Sequence, residues 1–363
     1  MSEKKLDLKN DGLWKLLWHM SLPGIFGMLV LSINTFVDSL YVGHFIGSEA
    51  LAGVSLYFPI SIITTSLTVL ICSGGASILS RAIGAGNEAV QSNLFSTVFT
   101  LAMLISIILT ITGLVFSKTF ISLMGGTGEV LQYGATYYKI CATGSFFTVT
   151  GLTLSALIRA EGKMKQAMTY TAVSVVLNII LAPLLIHVFS FGIEGAAWAS
   201  NIGMCVYFLL TVRYFTSGKP SFKTGKLTLK LDKDLTKGIL SIGLSSFLLQ
   251  AGNFIRQTFI FKSVAYYGTD TDVAYFGAVF RIFIIAVTPV FGILQALQPI
   301  VGINYGAGNY ERCTQSVTVF RIGGGLFLFL IWVPLLLFPQ GILSVMLPGT
   351  IFSPVDLNNF RII

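Results

Sequence analysis

Long apolar stretches almost free of charge restrict the fold of this chain more than any motif in it. Runs near 14–42, 51–80, 94–116, 133–158, 168–190, 194–215, 237–265, 272–300 and 316–338 each reach or exceed the roughly 20 apolar residues with which a helix crosses a hydrocarbon core. Several are longer, which implies tilt or extension beyond the bilayer. Hydrophobic residues make up 54% of the chain and charged residues only 10%, too little polar surface to coat a soluble globule of this length. The expected fold is therefore an all-α polytopic membrane protein with nine spans. The charged segment Met1 to Lys15 leads into an apolar run far longer than a signal-peptide core, with no small-residue cleavage site after a short one, so no leader is expected to be removed.

Loop charges orient these spans. A cytoplasmic N-terminus puts most basic residues inside, from Lys4 through Arg81, Arg159 and the Lys219 to Lys237 run to Arg312, and leaves only Lys118, Lys139, Lys262 and Arg361 outside or at outer edges. Basic residues resist translocation, so this orientation is the expected one. The net charge of +8 follows from the same bias and calls for no nucleic-acid partner. The most basic segment, 216–236, reads as a cytoplasmic linker near anionic lipid, dividing the chain into an N-terminal lobe of six spans, 1–215, and a C-terminal lobe of about three, 237–363. Cys72, Cys141, Cys205 and Cys313 are scattered through apolar segments without metal-ligand spacing, so neither a disulfide framework nor a metal site is expected.

The two lobes repeat one pattern. A shift of 222 residues places Gly84-Ala-Gly-Asn87 on Gly306-Ala-Gly-Asn309, Phe58-Pro-Ile60 on Phe280-Arg-Ile282 and Tyr138-Lys-Ile140 on Phe360-Arg-Ile362. Six spans per copy start both copies on the same side, giving parallel repeats of the kind secondary transporters use. In this register residue 363 corresponds to Cys141, so about three spans, on the order of 75 residues, are missing relative to a complete duplication. The chain is expected to be either a fragment or a naturally shortened protein.

One carboxylate falls inside the spans away from their ends. Burying a charge in hydrocarbon costs about 2.5 to 3.5 kcal/mol on insertion scales, so Asp38 is the expected chemical centre. Asn34 lies one helical turn before it on the same face, and desolvation disfavours the ionised acid, which suits exchange of a proton. Pro23 on the same helix can kink it and free a carbonyl. Asn178 and Ser200 are isolated polar residues in the fifth and sixth spans. The second copy has no acid in the interior of its spans but has Gln250, Asn253 and Arg256 in the seventh and Arg281 deep in the eighth, which implies an aqueous cavity or a partner. No Walker lysine, dinucleotide loop, paired intramembrane acids or histidine cluster appears, so an enzyme is not expected.

The stretches Phe36-Val-Asp-Ser-Leu-Tyr-Val-Gly43, Gly84-Ala-Gly-Asn87, Ile158-Arg-Ala-Glu-Gly162, Asn178-Ile-Ile-Leu-Ala-Pro183, Gly195-Ala-Ala-Trp-Ala-Ser200 and Gly306-Ala-Gly-Asn309 together resemble the multidrug and toxic compound extrusion (MATE) family, in particular its bacterial MepA/DinF-like branch. The resemblance covers the whole chain. It implies two six-helix lobes in a cell membrane, acting as a monomer that exports cationic amphipathic compounds by alternating access in exchange for protons or sodium ions, with no cofactor beyond that coupling ion. Residue by residue it implies that Asp38 is the first-helix coupling acid, Pro23 the bending proline, Asn178 the fifth-helix amide of the same site, Tyr137 a cavity tyrosine and Ser200 a position usually held by Thr. The family pattern Asn-x-x-x-Asp-Pro has Ala182 here in place of the second acid, and sodium wants several charged oxygen ligands, so a proton is favoured over sodium. The alternatives are a lipid-linked oligosaccharide flippase of the same superfamily, for which Arg256 and Arg281 would supply cationic charge, and a shortened chain that transports nothing.

Overall fold

Inside lipid a segment must satisfy its own N–H and C=O groups, and a helix does so within one stretch of chain. The computed structural model describes residues 6–224, 229–268 and 270–341, and among them all regular structure is helical. The helices are α1 Leu13–Phe45, α2 Ser48–Gly84, α3 Glu88–Leu123, α4 Gly128–Thr143, α5 Ser145–Ala160, α6 Met164–Pro183, α7 Gly192–Thr216, α8 Lys233–Tyr267, α9 Asp270–Gly306 and α10 Tyr310–Leu337. Among the described residues eight helices are long and apolar enough to cross a membrane, and the spans number nine when the bent pair α4 and α5 counts as one. The chain is an all-α polytopic membrane protein.

The fourth span departs from the continuous helix expected over 133–158, because it bends by 53° between α4 and α5. Asn201 of α7 lies where any side chain at Gly144 would go, its Oδ1 only 2.1 Å from the Cβ position. The break frees carbonyls, and neighbours take them up: Asn201 Nδ2 donates to Ile140 O at 2.7 Å and Thr110 Oγ1 to Ala142 O at 2.9 Å. The fifth span passes through Pro183 and ends in a π-helical turn, Leu184–Val188, as expected where proline has removed a donor. Helix α1 runs through Pro23 without interruption.

The repeated Gly-Ala-Gly-Asn motif is a pair of identical turns. In the first, Gly86 has φ +66°, and the amides of Gly86 and Asn87 reach back to Ile83 O and Ala82 O. Gly308, with φ +80°, closes α9 the same way through Tyr305 O and Asn304 O. Glycine tolerates the left-handed conformation that this cap requires. Asn87 then accepts from Val90 N at 3.1 Å and starts α3.

The basic segment after α7 lies along the first lobe. Phe222 is buried with Phe95 and Phe215, Ser221 N donates to Glu161 Oε2 at 2.7 Å, and Lys223 N donates to Gln91 Oε1 at 3.1 Å. Helix α8 begins at Lys233, inside the segment read as linker, because Asp232 caps it by accepting from Asp234 N and Leu235 N.

We describe α1–α7 as the first lobe and α8–α10 as the second, following the repeat. The lobes meet through α1 on α9, α2 on α8 and α2 on α9. Their closest approaches fall near the end of the bundle that carries the N-terminus, here the N-terminal face. Gly24 meets Gly292, Gly74 meets the Ile239 carbonyl and Gly243 that of Leu70, each leaving no room for a Cβ. Toward the opposite face the contact loosens. The buried residues of α1 lie at 27 or earlier apart from Val42, and Ile33, Phe36 and Leu40 are exposed.

Candidate functional site

Asp38 lies on the half of α1 remote from the N-terminal face. Asn34, one turn earlier, donates from Nδ2 to Asp38 Oδ2 at 3.1 Å. From α6, buried Asn178 reaches the same place. With its amide nitrogen toward the acid, the orientation in which both of its ends find partners, it donates to Asp38 Oδ1 at 2.8 Å and lies 3.0 Å from Asn34 Oδ1. Its carbonyl oxygen accepts from Ser200 Oγ of α7 at 3.1 Å. Three helices thus converge on one carboxylate, and the structure gathers Asp38, Asn34, Asn178 and Ser200 into one hydrogen-bonded group. Each Asp38 oxygen faces an amide N–H, which stabilises a carboxylate, and either asparagine can turn an oxygen toward the acid when it carries a proton.

Ala182 is 2% exposed and packs with Val42, Ile186, Ala196 and Ala199 in an apolar cluster. No second acid enters the group from that position. Among the described residues no set of three or more His, Cys, Asp or Glu side chains gathers where it could hold a metal ion.

One wall beside the acid is aromatic. Tyr137 stands on α4 edge-on to Tyr57 of α2, with ring centroids 5.5 Å apart, and Tyr57 also meets Tyr138 at 5.3 Å. Tyr137 packs against the apolar cluster that holds Val42, one turn along α1 from Asp38. Tyr57 was missed in the sequence, since it belongs to no recognisable motif. Asn201, which holds the bend just beyond this wall, follows Ser200 directly, and that adjacency was its only signal.

The remaining candidates lie apart from this group. Gln250, Asn253 and Arg256 lie on α8 in the other lobe, Gln250 half-buried and the other two exposed, and among the described residues no hydrogen bond or ion pair joins them to Asp38. Their neighbours Phe254, Gln257 and Thr258 line a cavity of about 250 Å³ with Phe58 and Ile62 of α2. The side chain of Arg281 lies outside the described residues, as does the Phe360-Arg-Ile362 end of the repeat. Pro23 lies on the buried half of α1, next to Gly24 at the contact with α9.

Membrane helices packed against each other at one face, with a carboxylate held among amides inside the bundle, are the architecture of a membrane transporter. The MatE family model matches residues 23–184 and 242–350, so the chain belongs to the MatE family, whose members are transporters and not enzymes. It is 28% identical over 348 residues to the "Probable multidrug resistance protein YoeA" of Bacillus subtilis (strain 168), covering 92% of this chain and 73% of that one. Against the multidrug export protein MepA of Staphylococcus haemolyticus (strain JCSC1435) it is 24% identical over 317 residues, 87% of this chain and 70% of the other. A solved structure described as the outward-facing conformation of a multidrug resistance MATE family transporter superposes with a TM-score of 0.89 at 25% identity, over 99% of this chain and 80% of its own.

Proposed function

We propose that the chain exports cationic amphipathic compounds across a bacterial cell membrane by alternating access, coupled to proton influx through Asp38. The observation that carries this reading is the carboxylate held by two amide N–H groups from α1 and α6, with no second acid beside it among the described residues. A single acid of this kind can hold either a proton or an organic cation as counter-charge. It lacks the several charged oxygens that sodium prefers. The aromatic rings of Tyr57 and Tyr137 on the same wall offer π faces to a cationic ring system.

The cycle follows from exclusive occupancy. Open to the cytoplasm, deprotonated Asp38 attracts the cation; open to the outside, a proton from the medium displaces it. Coupling can be no larger than the difference in affinity between the two states. The basic residues argue for an N-terminal face in the cytoplasm, which makes the closure described above that of an outward-open state. Export of drug-like compounds is further supported by the names of the YoeA and MepA relatives.

The test is dye efflux from cells expressing the protein under an imposed proton gradient, with Asp38→Asn beside the unaltered protein. Asp38→Asn is expected to lose gradient-dependent efflux of an ethidium-like dye while reaching the membrane in equal amount. Undiminished efflux with the same proton dependence overturns the proposal, and efflux that follows a sodium gradient instead overturns the choice of ion.

A further inference from the structure

The paired Gly-Ala-Gly-Asn turns have no part in the chemistry of Asp38, yet they meet face to face. A Cβ on Gly84 would lie 2.0 Å from Ile303 O, and a Cβ on Gly306 would lie 2.0 Å from Arg81 O. These contacts exchange under the 222-residue shift of the repeat. Ser80 and Gly302, equivalent positions in the two copies, meet each other directly, so the axis relating the copies passes between them. The guanidinium of Arg81 lies 5.2 Å from the centre of the Tyr305 ring. The N-terminal face is therefore closed by backbone against backbone, with glycine wherever a side chain would hold the lobes apart.

The segment before α1 lies across this seam and is tied to both lobes. Lys9 Nζ donates to Gly84 O at 3.1 Å in the first lobe. Leu8 is 7% exposed, its side chain against Gly162 of the first lobe. The Leu8 carbonyl accepts at 3.0 Å from Asn304, a fully buried side chain of the second lobe. Arg312 of α10 donates to Asp11 O. The segment is itself a preformed turn: Asp7 accepts from Asn10 Nδ2 at 2.8 Å and Lys9 N at 2.9 Å, and these bonds hold its carboxyl below the usual carboxylate range.

We propose that the segment 6–11 is a latch which holds the lobes closed at the N-terminal face, and that it must leave Asn304 and Arg312 before that face opens. Its bonds suit release. They end on backbone carbonyls that water can replace, and among the described residues Asn304 Oδ1 and Arg312 Nε are buried without a hydrogen-bond partner even when the latch is seated. The proposal rests on the alternating-access reading for its place in a transport cycle, but the geometry that it predicts can be measured without transport.

The measurement is a pair of spin labels, one per lobe, at exposed Ala89 and Gln315, in protein whose four native cysteines are replaced, reconstituted in lipid nanodiscs. A third position, exposed Gly12, where an added side chain meets nothing, labelled singly, reports whether the latch is seated. The unaltered latch is expected to give mainly the short distance. Leu8→Ser with Lys9→Ala should mobilise the label at Gly12 and raise the ratio of open to closed populations by about tenfold, the scale of a few lost hydrogen bonds. Lys9→Ala alone, a mild change outside the spans, should move both readouts the same way by less. A mobile label at Gly12 with an unchanged distance distribution overturns the latch, because the lobes then stay shut without it. An immobile label at Gly12 in the double variant also overturns it, because the assigned contacts then do not seat the segment. Loss of dye efflux leaves these distances unaffected, so the two proposals fail separately.

Discussion

At the scale of single residues the acid is defined by what surrounds it. Asn34 and Asn178 hold its oxygens, while Ala182, where a second carboxylate would complete a cation site, faces Val42, Ile186, Ala196 and Ala199. Restoring the acid alone should therefore not restore a sodium site. Ala182→Asp is expected to bury an unpaired carboxylate in an apolar cluster and lower the thermal midpoint of the purified protein, with no recovery when sodium is added. Sodium-dependent stabilisation in a thermal-shift series would show that the acid had turned toward Asp38 instead. The pairing of Asn34 with Asp38 was legible in their spacing of one helical turn, whereas Asn178 and Ser200 were placed beside the acid only by the resemblance to the MATE family. Tyr57 was not legible, because a tyrosine in such a span packs as readily as it serves a site.

Elements were readable as far as apolar length could locate them, and their breaks were not. The nine expected spans correspond to the helices found, but nothing in the run 133–158 announced a 53° bend. The bend depends on Asn201, a residue of another helix that fills the space beside Gly144, and a single-chain pattern does not record a tertiary partner. Asn201→Leu keeps the size and removes the donor. It should leave the Ile140 carbonyl with only its bond from Thr143 Oγ1 at 2.6 Å, cost about 0.5–1.5 kcal/mol and appear as a lower denaturation midpoint in detergent. If α4 also swings, the Tyr137 wall moves and the dye concentration for half-maximal efflux rises. Unchanged stability would mean that the existing Thr143 bond satisfies the carbonyl by itself. Proline was a weaker guide than expected, since α1 passes Pro23 unbroken while Pro183 precedes a π-helical turn.

Across the whole molecule, the basic segment between the lobes belongs mechanically to the first. Glu161, whose side chain is fully buried, accepts from Tyr214 and from the Ser221 amide and hydroxyl, with Lys163 at 3.6 Å. Glu161→Ala should orphan these donors and release the segment. Trypsin should then cut at Lys219 and Lys223 several times faster than in the unaltered protein, while the helices stay protected; equal cutting rates would show that Phe222 and Gln91 suffice to hold the segment. The sequence marked this stretch as a charged spacer, because its charge is visible in composition. The buried Phe222 and the acid in Ile158-Arg-Ala-Glu-Gly162 that secures it become related only in three dimensions.

The reciprocal contact of Gly84 with Ile303 and Gly306 with Arg81 has a consequence for ancestry. A contact that exchanges under the repeat needs only one kind of surface, so a polypeptide half as long could pair with its own twin through the same turn. The present seam is not symmetric at its centre, where Ser80 faces Gly302. A twin pair with serine on both sides would collide there, so the first half fits the glycine of the second and not a copy of itself.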